Sequence, residues 1–385
     1  MRYIDKLFEV EDALNHTQES ENLFFEAMKE ATLYHYEHNE VYKNICDNED
    51  FSFDDLQSID DLYKIPHIIA DAFKWHDLLS VDKKDIVATY TSSGTSGQKS
   101  HISWDIDSKN RQDKMRETIM QTYGLISKEE VNYLIFAYSP AVSEGKGAAH
   151  AHQMYATFAP AKRKVFAIDA DENAKAFFSE ERCVEFFEMF AKDDNALRII
   201  GFPAFIYETL LYMKEKGIKF NFPSQSLIIL AGGWKSAQDK AISFSEFASL
   251  TKEYLGIDSL QIRDIYGFVE HGVPYVTCQY NHFHVPIYSK VFIRKPGTLE
   301  LLKDGEKGLL HVMSPYNYAQ PAHSILATDY AITYSDCPCG IKGKYIVLKG
   351  RAGLKKHEGC AISATELIKE SKRKDEEQQK RICNV

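Results

Sequence analysis

Long apolar runs are missing from this sequence. No stretch approaches the roughly 20 consecutive apolar residues that a membrane-spanning helix requires, and the first residues, MRYIDKLFEVEDALNH, carry charges where a secretion signal would be apolar. Basic residues are outnumbered, with 46 Lys and Arg against 56 Asp and Glu and a formal net charge of -10. These features predict a soluble, cytoplasmic protein and argue against nucleic acid as its main partner.

Cysteine is also sparse. The 385 residues include seven cysteines, an odd number, and no secretion signal accompanies them. Reduced thiols therefore fit the chain better than a disulfide framework does, and some of them could serve as ligands or nucleophiles. Hydrophobic residues make up 44% of the chain, which is enough for the packed interior of one large domain or two unequal ones.

The spacing of apolar residues predicts an α/β protein. Residues 1–86 show helical spacing, as in the segment that starts at Leu23, and form a predicted helical lead-in. Through 87–277, short runs rich in Ile, Val, Leu and Tyr alternate with helix-like segments, which is typical of an α/β core. The predicted strands are VNYLIFAY at 131, RKVFAI at 163, LRIIGF at 197, SLIILAGG at 226 and LQIRDIYG at 260.

Closely spaced strands follow the core. Residues 278–350 are predicted to form a β-rich subdomain, in which TLELLKDGEKGLLHVMS makes a hairpin turned at Asp304 and Gly305. Residues 1–350 would then be one large core, and 351–385 a hinge with a short tail.

Hydroxyl residues and glycines are concentrated in TSSGTSGQKS at 91–100. Glycines let backbone amides face an anion, and hydroxyls add further donors, so the segment suits a polyphosphate. It lacks the G-x-x-x-x-G-K-[ST] spacing of a Walker loop, and a flexible Ser/Gly turn is the alternative interpretation. The predicted phosphate-binding residues are Thr91, Ser92, Ser93, Gly94, Thr95, Ser96 and Gly97.

This segment resembles the phosphate loop of the adenylate-forming superfamily, which includes acyl-CoA ligases, adenylation domains and luciferases. The superfamily loop usually ends in Pro-Lys, where this chain has Gln98 and Lys99. Further motifs follow in the superfamily's order, namely AGGWK at 231–235, YGFVEHG at 266–272, ATDYAI and KGRAG. The resemblance implies a large N-terminal α/β core that binds ATP and Mg²⁺ and activates a carboxylic acid.

The first two of these motifs are implied to bind adenine. Gly232 and Gly233 stand at the adenine-binding turn, where glycines permit close approach to a flat base. Tyr266 matches the aromatic residue that packs on the adenine, and Gly267 matches the glycine that follows it.

The remaining matches are charged residues. Glu270 corresponds to the magnesium-binding acid, Asp329 to the acid that accepts hydrogen bonds from both ribose hydroxyls, and Arg351 to the hinge motif. Val269 departs from the superfamily, because a Thr that contacts phosphate is expected there. A non-catalytic nucleotide-binding scaffold would explain this departure, but it gives no reason to retain both Glu270 and Asp329.

Thiols and imidazoles form a second group. Cys337 and Cys339 in DCPCG, with Cys278 and either His284 or His282 in CQYNHFHVP, supply the ligands of a closed structural Zn²⁺ site, and His284 is preferred. Similar cysteine pairs occur in the phenylacetate-CoA ligase branch, which the chain also resembles. Unmetallated core thiols are the alternative, because Cys-x-Cys is tighter than the usual finger spacing.

The C-terminal segment is short. Only residues 352–385 follow Arg351, fewer than the roughly 40 that an independent domain needs, so the superfamily's C-terminal domain is predicted to be missing or reduced. RAGLKKHEGCAISATEL in this segment resembles the acyl-protein synthetase subunit of the bacterial fatty acid reductase complex, and the similarity runs from Val87 to Leu367. That resemblance implies formation of a fatty acyl-AMP, transfer to the enzyme's Cys360 and delivery to an acyl reductase.

Local charge favours Cys360 as the nucleophile. Lys355, Lys356 and His357 would stabilise a thiolate, while Glu358 works against them. A buried structural cysteine is the alternative, and Cys383 is the weaker acceptor candidate. If free CoA were the thiol instead, the chain would be a phenylacetate-type acyl-CoA ligase.

The acyl pocket is expected to draw on residues 139–155 and on the region near Gly201 and Pro203. His150 and His152 are candidates for lining it, although ordinary polar contacts would also explain them.

Overall fold

The computed structural model describes residues 2–92, 98–142, 152–234 and 241–351. They fall into two compact units. The first comprises 2–92, 98–125, 266–276 and 282–351, and the second comprises 126–142, 152–234, 241–265 and 277–281. The division expected from the sequence, with boundaries after 86, 277 and 350, stays a prediction. Within the described residues, no helix has both the length and the apolar character needed to cross a membrane.

Helices open the first unit. The α-helices of this unit are α1 (Tyr3–Leu7), α2 (Gln18–His38), α3 (Glu40–Asn48) and α4 (Ile106–Thr122), and its 3₁₀ helices are Phe53–Asp55, Ile59–Lys64, Ala70–Lys74 and Lys83–Asp85. The helix predicted to include Leu23 is confirmed as α2. It begins after Thr17, whose side chain accepts from the Ser20 amide while the Ser20 hydroxyl accepts from the Thr17 amide.

The strands in chain order are β1 (Ile68–Ile69), β2 (Ile86–Thr91), β3 (His101–Asp105), β4 (Val131–Tyr138), β5 (Ala161–Ala170), β6 (Ala176–Phe178), β7 (Leu197–Gly201), β8 (Leu227–Ala231), β9 (Ile262–Tyr266), β10 (Tyr275–Thr277), β11 (Phe283–His284), β12 (Lys290–Arg294), β13 (Leu301–Leu302), β14 (Gly308–Met313), β15 (Ser324–Tyr334) and β16 (Tyr345–Arg351).

An antiparallel sheet dominates the first unit. Its strands pair in the order β13, β12, β14, β15, β16 and β11, while β1 lies parallel to β15. Strands β2 and β3 pair separately. The hairpin predicted at Asp304 and Gly305 is wrong, because β13 and β14 each pair with β12 and not with each other. The real tight connection runs from β12 to β13 through Gly297, whose φ of 89° favours glycine.

Parallel strands form the sheet of the second unit. Their order is β5, β4, β7, β8 and β9, with β6 antiparallel to β5. These parallel strands coincide with the five runs predicted from the sequence, so that prediction is confirmed. The connecting helices are α5 (Glu180–Phe190), α6 (Pro203–Lys216) and α7 (Phe244–Leu255). Every residue of β4 is buried, as expected of a central parallel strand.

Buried histidines link the elements of the first unit. The His35 side chain of α2 is fully buried, and its ring stacks on His323 with a centroid distance of 4.8 Å. Its Nε2 lies 3.0 Å from the Asn317 carbonyl and must donate, so Nδ1 accepts from the Ser80 hydroxyl at 2.8 Å. Burial lowers the pKa of His35 to about 3, and the ring is therefore neutral in the native state.

These histidines predict acid sensitivity. An unfolded histidine binds a proton below about pH 6.5, whereas native His35 does so only near pH 3, so the free energy of unfolding should fall as pH decreases through that window. The slope from one such residue is at most about 1.4 kcal/mol per pH unit. Urea unfolding between pH 7.5 and 5 measures it. His35→Gln should flatten the slope and the exposed His38→Gln should not; equal slopes in both variants would contradict the assignment.

Candidate nucleotide and metal sites

Tyr266, Asp329 and Arg351 form a connected polar group in the first unit. The Tyr266 hydroxyl donates to Asp329 Oδ2 at 2.8 Å, and Arg351 Nε lies 3.4 Å from Asp329 Oδ1. Asp329 and Arg351 face each other across the β15 and β16 ladder. Residues that are far apart in the sequence thus meet at one carboxylate, as their shared assignment to nucleotide binding requires.

The Tyr266 side chain is held by aromatic neighbours. Its ring lies 6.0 Å from Phe268, 6.0 Å from Tyr275 and 5.9 Å from Phe283, measured between centroids. Burial raises the pKa of Tyr266 well above its ordinary value, and the Asp329 charge adds to the effect. The phenol therefore remains a hydrogen-bond donor at neutral pH.

Asp329 retains capacity for further donors. Its side chain is 14% exposed, and each oxygen already has one protein partner. A carboxylate offers about four lone-pair sites, so roughly two remain. That number suits a pair of neighbouring hydroxyls.

Glu270 lies in the turn after β9, four residues beyond Tyr266, and only 7% of it is exposed. No hydrogen bond or ion pair joins its carboxylate to another residue in the described part of the chain. Carboxylate oxygens are ligands that Mg²⁺ prefers, and those of Glu270 are not engaged by another described residue. Glu270 therefore has the burial and the free oxygens of a Mg²⁺ ligand.

Two glycines of this turn differ in how much space a side chain would have at their positions. Gly267 is exposed, and a Cβ there would meet the Val273 carbonyl at an ordinary 3.5 Å. Gly272 has φ of 73°, and a Cβ would lie 2.1 Å from the Tyr316 hydroxyl, so a larger residue cannot fit. Gly272 was not predicted from the sequence, although it stands inside the YGFVEHG motif. Val269 is half-buried and brings no hydroxyl to the turn.

The base of the Ser/Thr/Gly segment is closed by hydrogen bonds. The Ser92 amide donates to the Ser100 carbonyl at 3.1 Å, and the Ser100 amide donates to Ser92 Oγ at 3.0 Å. Thr91 ends β2 in register with His101 on β3. Of the predicted phosphate-binding residues, Thr91 and Ser92 thus lie at these strand-end hydrogen bonds, and Ser93, Gly94, Thr95, Ser96 and Gly97 lie outside the described residues.

Gly232 and Gly233 belong to the second unit and follow β8 directly. Their φ values are 90° and 61°, so the turn uses conformations that favour glycine. His152 is buried nearby, with its Nε2 3.2 Å from the Ala231 carbonyl and its ring 4.7 Å from that of Phe202. These are an ordinary polar contact and an aromatic contact, and the place of His152 in an acyl pocket stays a prediction; His150 lies outside the described residues.

The predicted metal ligands come together. The ligand atoms of Cys278, His284, Cys337 and Cys339 all lie within 4.8 Å of one another, and the first three residues are buried. His284 Nε2 is 3.2 Å from Cys339 Sγ. Burial lowers the pKa of His284 to about 4, which keeps the imidazole in its neutral, ligating form. The group could hold a metal ion.

His282 is a neighbour of this group. Its Nδ1 lies 3.1 Å from Cys337 Sγ, and its ring stacks on Tyr345 with centroids 4.2 Å apart and planes 10° apart. This geometry suits a hydrogen bond to the Cys337 sulfur, a type of contact that supports metal ligands. The four residues grouped by ligand distance include His284, the histidine preferred from the sequence.

The predicted acceptor Cys360 lies outside the described residues, as do Lys355, Lys356, His357 and Cys383. Within the described residues no cysteine is in a disulfide bond, and Cys46 and Cys183 are buried outside the metal group. Burial raises the pKa of Cys46 to about 11, so this thiol has little tendency to act as a nucleophile.

Comparison with known proteins decides the family. The family described as "Acyl-protein synthetase, LuxE" matches residues 2–369, which is nearly the whole chain. The chain belongs to this family. Acyl-protein synthetases are ligases, and the chain is accordingly an enzyme of the ligase class.

Two curated relatives of the family carry the same name, "Long-chain-fatty-acid--luciferin-component ligase". The relative from Aliivibrio fischeri is 28% identical over 355 residues, which cover 92% of this chain and 91% of the relative. The relative from Vibrio harveyi is 25% identical over 353 residues, covering 91% and 89%. The similarity therefore extends across nearly the full length of each pair.

Solved structures support the fold. A 2-hydroxyisobutyryl-CoA ligase in the postadenylation state aligns with a TM-score of 0.57 and 14% identity, covering 89% of this chain and 69% of that one. An open conformation of that ligase aligns with a TM-score of 0.54 and 13% identity, covering 89% and 76%. The predicted adenylate-forming α/β fold is confirmed.

Proposed function

We propose that this chain is a cytoplasmic acyl-protein synthetase that activates a long-chain fatty acid with ATP and then carries the acyl group on Cys360. Family membership and the substrate in the relatives' names support the acyl chemistry. The observation that carries the nucleotide site is the Asp329 carboxylate, which Tyr266 and Arg351 orient while about two of its lone pairs remain open.

In the first step, a carboxylate oxygen of the fatty acid attacks the α-phosphorus of ATP. A new oxygen–phosphorus bond forms, the bond to the β-phosphate breaks, and pyrophosphate leaves with its electron pair. Asp329 accepts from the ribose hydroxyls, and Tyr266 presents its ring to the base. No covalent bond to the protein is needed, so catalysis consists of positioning and neutralisation of charge.

Glu270 is the proposed magnesium ligand, because it is buried and its carboxylate has no partner among the described residues. A bound Mg²⁺ would supply positive charge against the phosphate oxygens. The segment 91–97 would donate to the same phosphates, and Gly232 and Gly233 remain the predicted adenine-binding turn.

In the second step, the Cys360 thiolate attacks the acyl carbonyl of the adenylate. The carbon–sulfur bond forms, the carbon–oxygen bond to phosphate breaks, and AMP leaves. The thioester is then delivered to an acyl reductase. A self-loaded enzyme needs such an acceptor, since it would otherwise turn over once.

Zinc is the proposed metal of the Cys/His group. Three thiolates and one imidazole are a ligand set that Zn²⁺ favours in closed structural sites, and their ligand atoms lie within 4.8 Å of one another. Purified protein should contain about one zinc per chain by elemental analysis. Cys337→Ala should lose the metal and unfold at lower temperature, whereas Cys46→Ala, which removes a buried thiol outside the group, should retain it. Natively purified wild type that is stable and free of metal would contradict this.

Fatty acid-dependent exchange of pyrophosphate into ATP tests the proposed adenylation. Exchange distinguishes an enzyme from a nucleotide-binding scaffold, because a scaffold gives none with any acid. A panel of fatty and aromatic acids, assayed with and without CoA, would separate the synthetase from a phenylacetate-type ligase. The synthetase requires long-chain acids and no CoA.

A further inference from the structure

The hairpin of β15 and β16 carries residues of both candidate sites. One end of its ladder pairs Asp329 with Arg351, and the other end pairs Tyr334 with Tyr345. The connection between the strands, residues 335–344, contains Cys337 and Cys339. Two of the three candidate metal-binding thiols and the nucleotide carboxylate therefore lie at opposite ends of one hairpin.

The ladder is irregular close to Asp329. Asp329 pairs with Arg351 and Ala331 pairs with Leu348, so β16 has one more residue than β15 in this interval. Gly350 has φ of 94°, as expected of a glycine at a bulge. A bulge is a place where strand register is set locally, so the pairing of Asp329 with Arg351 depends on how the rest of the ladder is held.

The Cys/His group lies at the other end of the β15–β16 hairpin, away from Asp329. His284 lies on β11 in register with Tyr345 of β16, and its Nε2 is 3.2 Å from Cys339 in the connection. His282 stacks on Tyr345, and Tyr345 stacks on Tyr334 with a centroid distance of 5.6 Å. A metal ion bound by these thiols and His284 would tie β11 to the connection between β15 and β16.

A second series of contacts links the metal group to Tyr266 through Phe283, the residue before His284. Successive side chains of a strand point to opposite faces, so the face of β11 opposite the metal ligand carries Phe283. The Phe283 ring is buried and contacts Tyr266 at 5.9 Å with planes at 61°. Tyr266 in turn donates to Asp329. The metal ligand, Phe283, Tyr266 and Asp329 thus form one chain of contacts.

We propose that the metal group positions the nucleotide site by fixing β11 and the β15–β16 register, so that metal loss weakens nucleotide binding. The proposal rests on the proposed nucleotide site at Asp329. His284, Cys337 and Cys339 are positioning residues in this account, since none of them touches the nucleotide.

The test begins with wild-type protein whose metal has been removed by a chelator, and with the same protein after zinc is restored. The dissociation constant of AMP should rise about tenfold on removal, the effect of mispositioning one charge-assisted hydrogen bond, and recover with zinc. Amide hydrogen exchange should increase in peptides covering β15 and β16 and stay unchanged in β8 of the second unit. Unchanged AMP binding in folded, metal-free protein would overturn the proposal.

Phe283→Leu separates positioning from metal binding. This variant should keep its zinc and raise the AMP dissociation constant about two- to tenfold, because an aromatic pair is lost. Phe292→Leu is the matched control, since Phe292 has the same 7% exposure in the same sheet but contacts Tyr63 and His311 instead. It should retain normal AMP affinity. If the metal-free protein unfolds completely, the AMP affinity of the Phe283→Leu variant tests the proposal. Equal AMP affinities in Phe283→Leu and Phe292→Leu would overturn it.

Two further outcomes are distinguishable. Metal-loaded wild type that fails to bind AMP would refute the proposed nucleotide site itself. Tight, metal-dependent AMP binding without fatty acid-dependent exchange would refute the proposed reaction and support the positioning role.

Discussion

Cys360→Ser and Cys360→Ala proteins should show no covalent acylation after incubation with ATP and fatty acid, while fatty acid-dependent pyrophosphate exchange continues at a rate close to wild type. The two half reactions use different groups, since adenylation needs the nucleotide site and transfer needs the thiol. A Ser hydroxyl is a far weaker nucleophile than a thiolate at neutral pH, so even the conservative variant should fail. Radiolabelled fatty acid followed by denaturing gel electrophoresis measures the acylation.

Cys383→Ser is the control for this experiment, because it removes the other cysteine of the C-terminal segment and should leave acylation intact. If Cys383→Ser loses labelling and Cys360→Ser keeps it, the acceptor is Cys383 and the proposed role of Cys360 is contradicted. Loss of exchange in both Cys360 variants would mean that Cys360 serves the adenylation site.

Asp329→Ala and Glu270→Gln should each reduce fatty acid-dependent exchange by about tenfold to more than a hundredfold. Each change removes a charge-assisted contact worth about 1.5–3 kcal/mol, from the ribose in one case and from Mg²⁺ in the other. Asp329→Ala also leaves the Tyr266 hydroxyl and Arg351 without their shared partner. Exchange at several ATP and Mg²⁺ concentrations separates the two effects, because Glu270→Gln should be partly rescued by high Mg²⁺.

Glu300→Gln controls for loss of a carboxylate. Glu300 lies in the same unit and its side chain is 67% exposed beside Lys295, so its replacement should leave exchange unchanged. Near-normal exchange in both Asp329→Ala and Glu270→Gln would reject the nucleotide site described here.

The parallel sheet could be predicted from the sequence because its signal is local. Runs such as VNYLIFAY are apolar throughout, and a strand buried on both faces requires that pattern. Strand pairing in the first unit could not be read in the same way. Leu301 and Leu302 follow a short turn after β12 and pair back onto it, which displaces β14 to the other side of β12. Local turn residues at Asp304 and Gly305 do not encode that choice of partner.

In the candidate site, too, local motifs could be predicted from the sequence and tertiary contacts could not. Tyr266, Glu270 and Asp329 could be proposed because motifs mark them, yet the hydrogen bond between Tyr266 and Asp329 joins residues far apart in sequence. Phe283 was missed, since a phenylalanine in a strand carries no signal of its own and its contact with Tyr266 depends on tertiary packing. The metal group was predictable because cysteines are few, and the side-chain chemistry of cysteine and histidine limits what they can bind together.

Intact mass spectrometry of the wild-type protein tests the central claim most directly. After incubation with ATP, Mg²⁺ and a long-chain fatty acid, without CoA, the protein mass should increase by one acyl group, and neutral hydroxylamine should restore the original mass because it cleaves thioesters. Peptide mapping should place the group on Cys360. A protein that stays unmodified while converting added CoA into acyl-CoA would contradict the account.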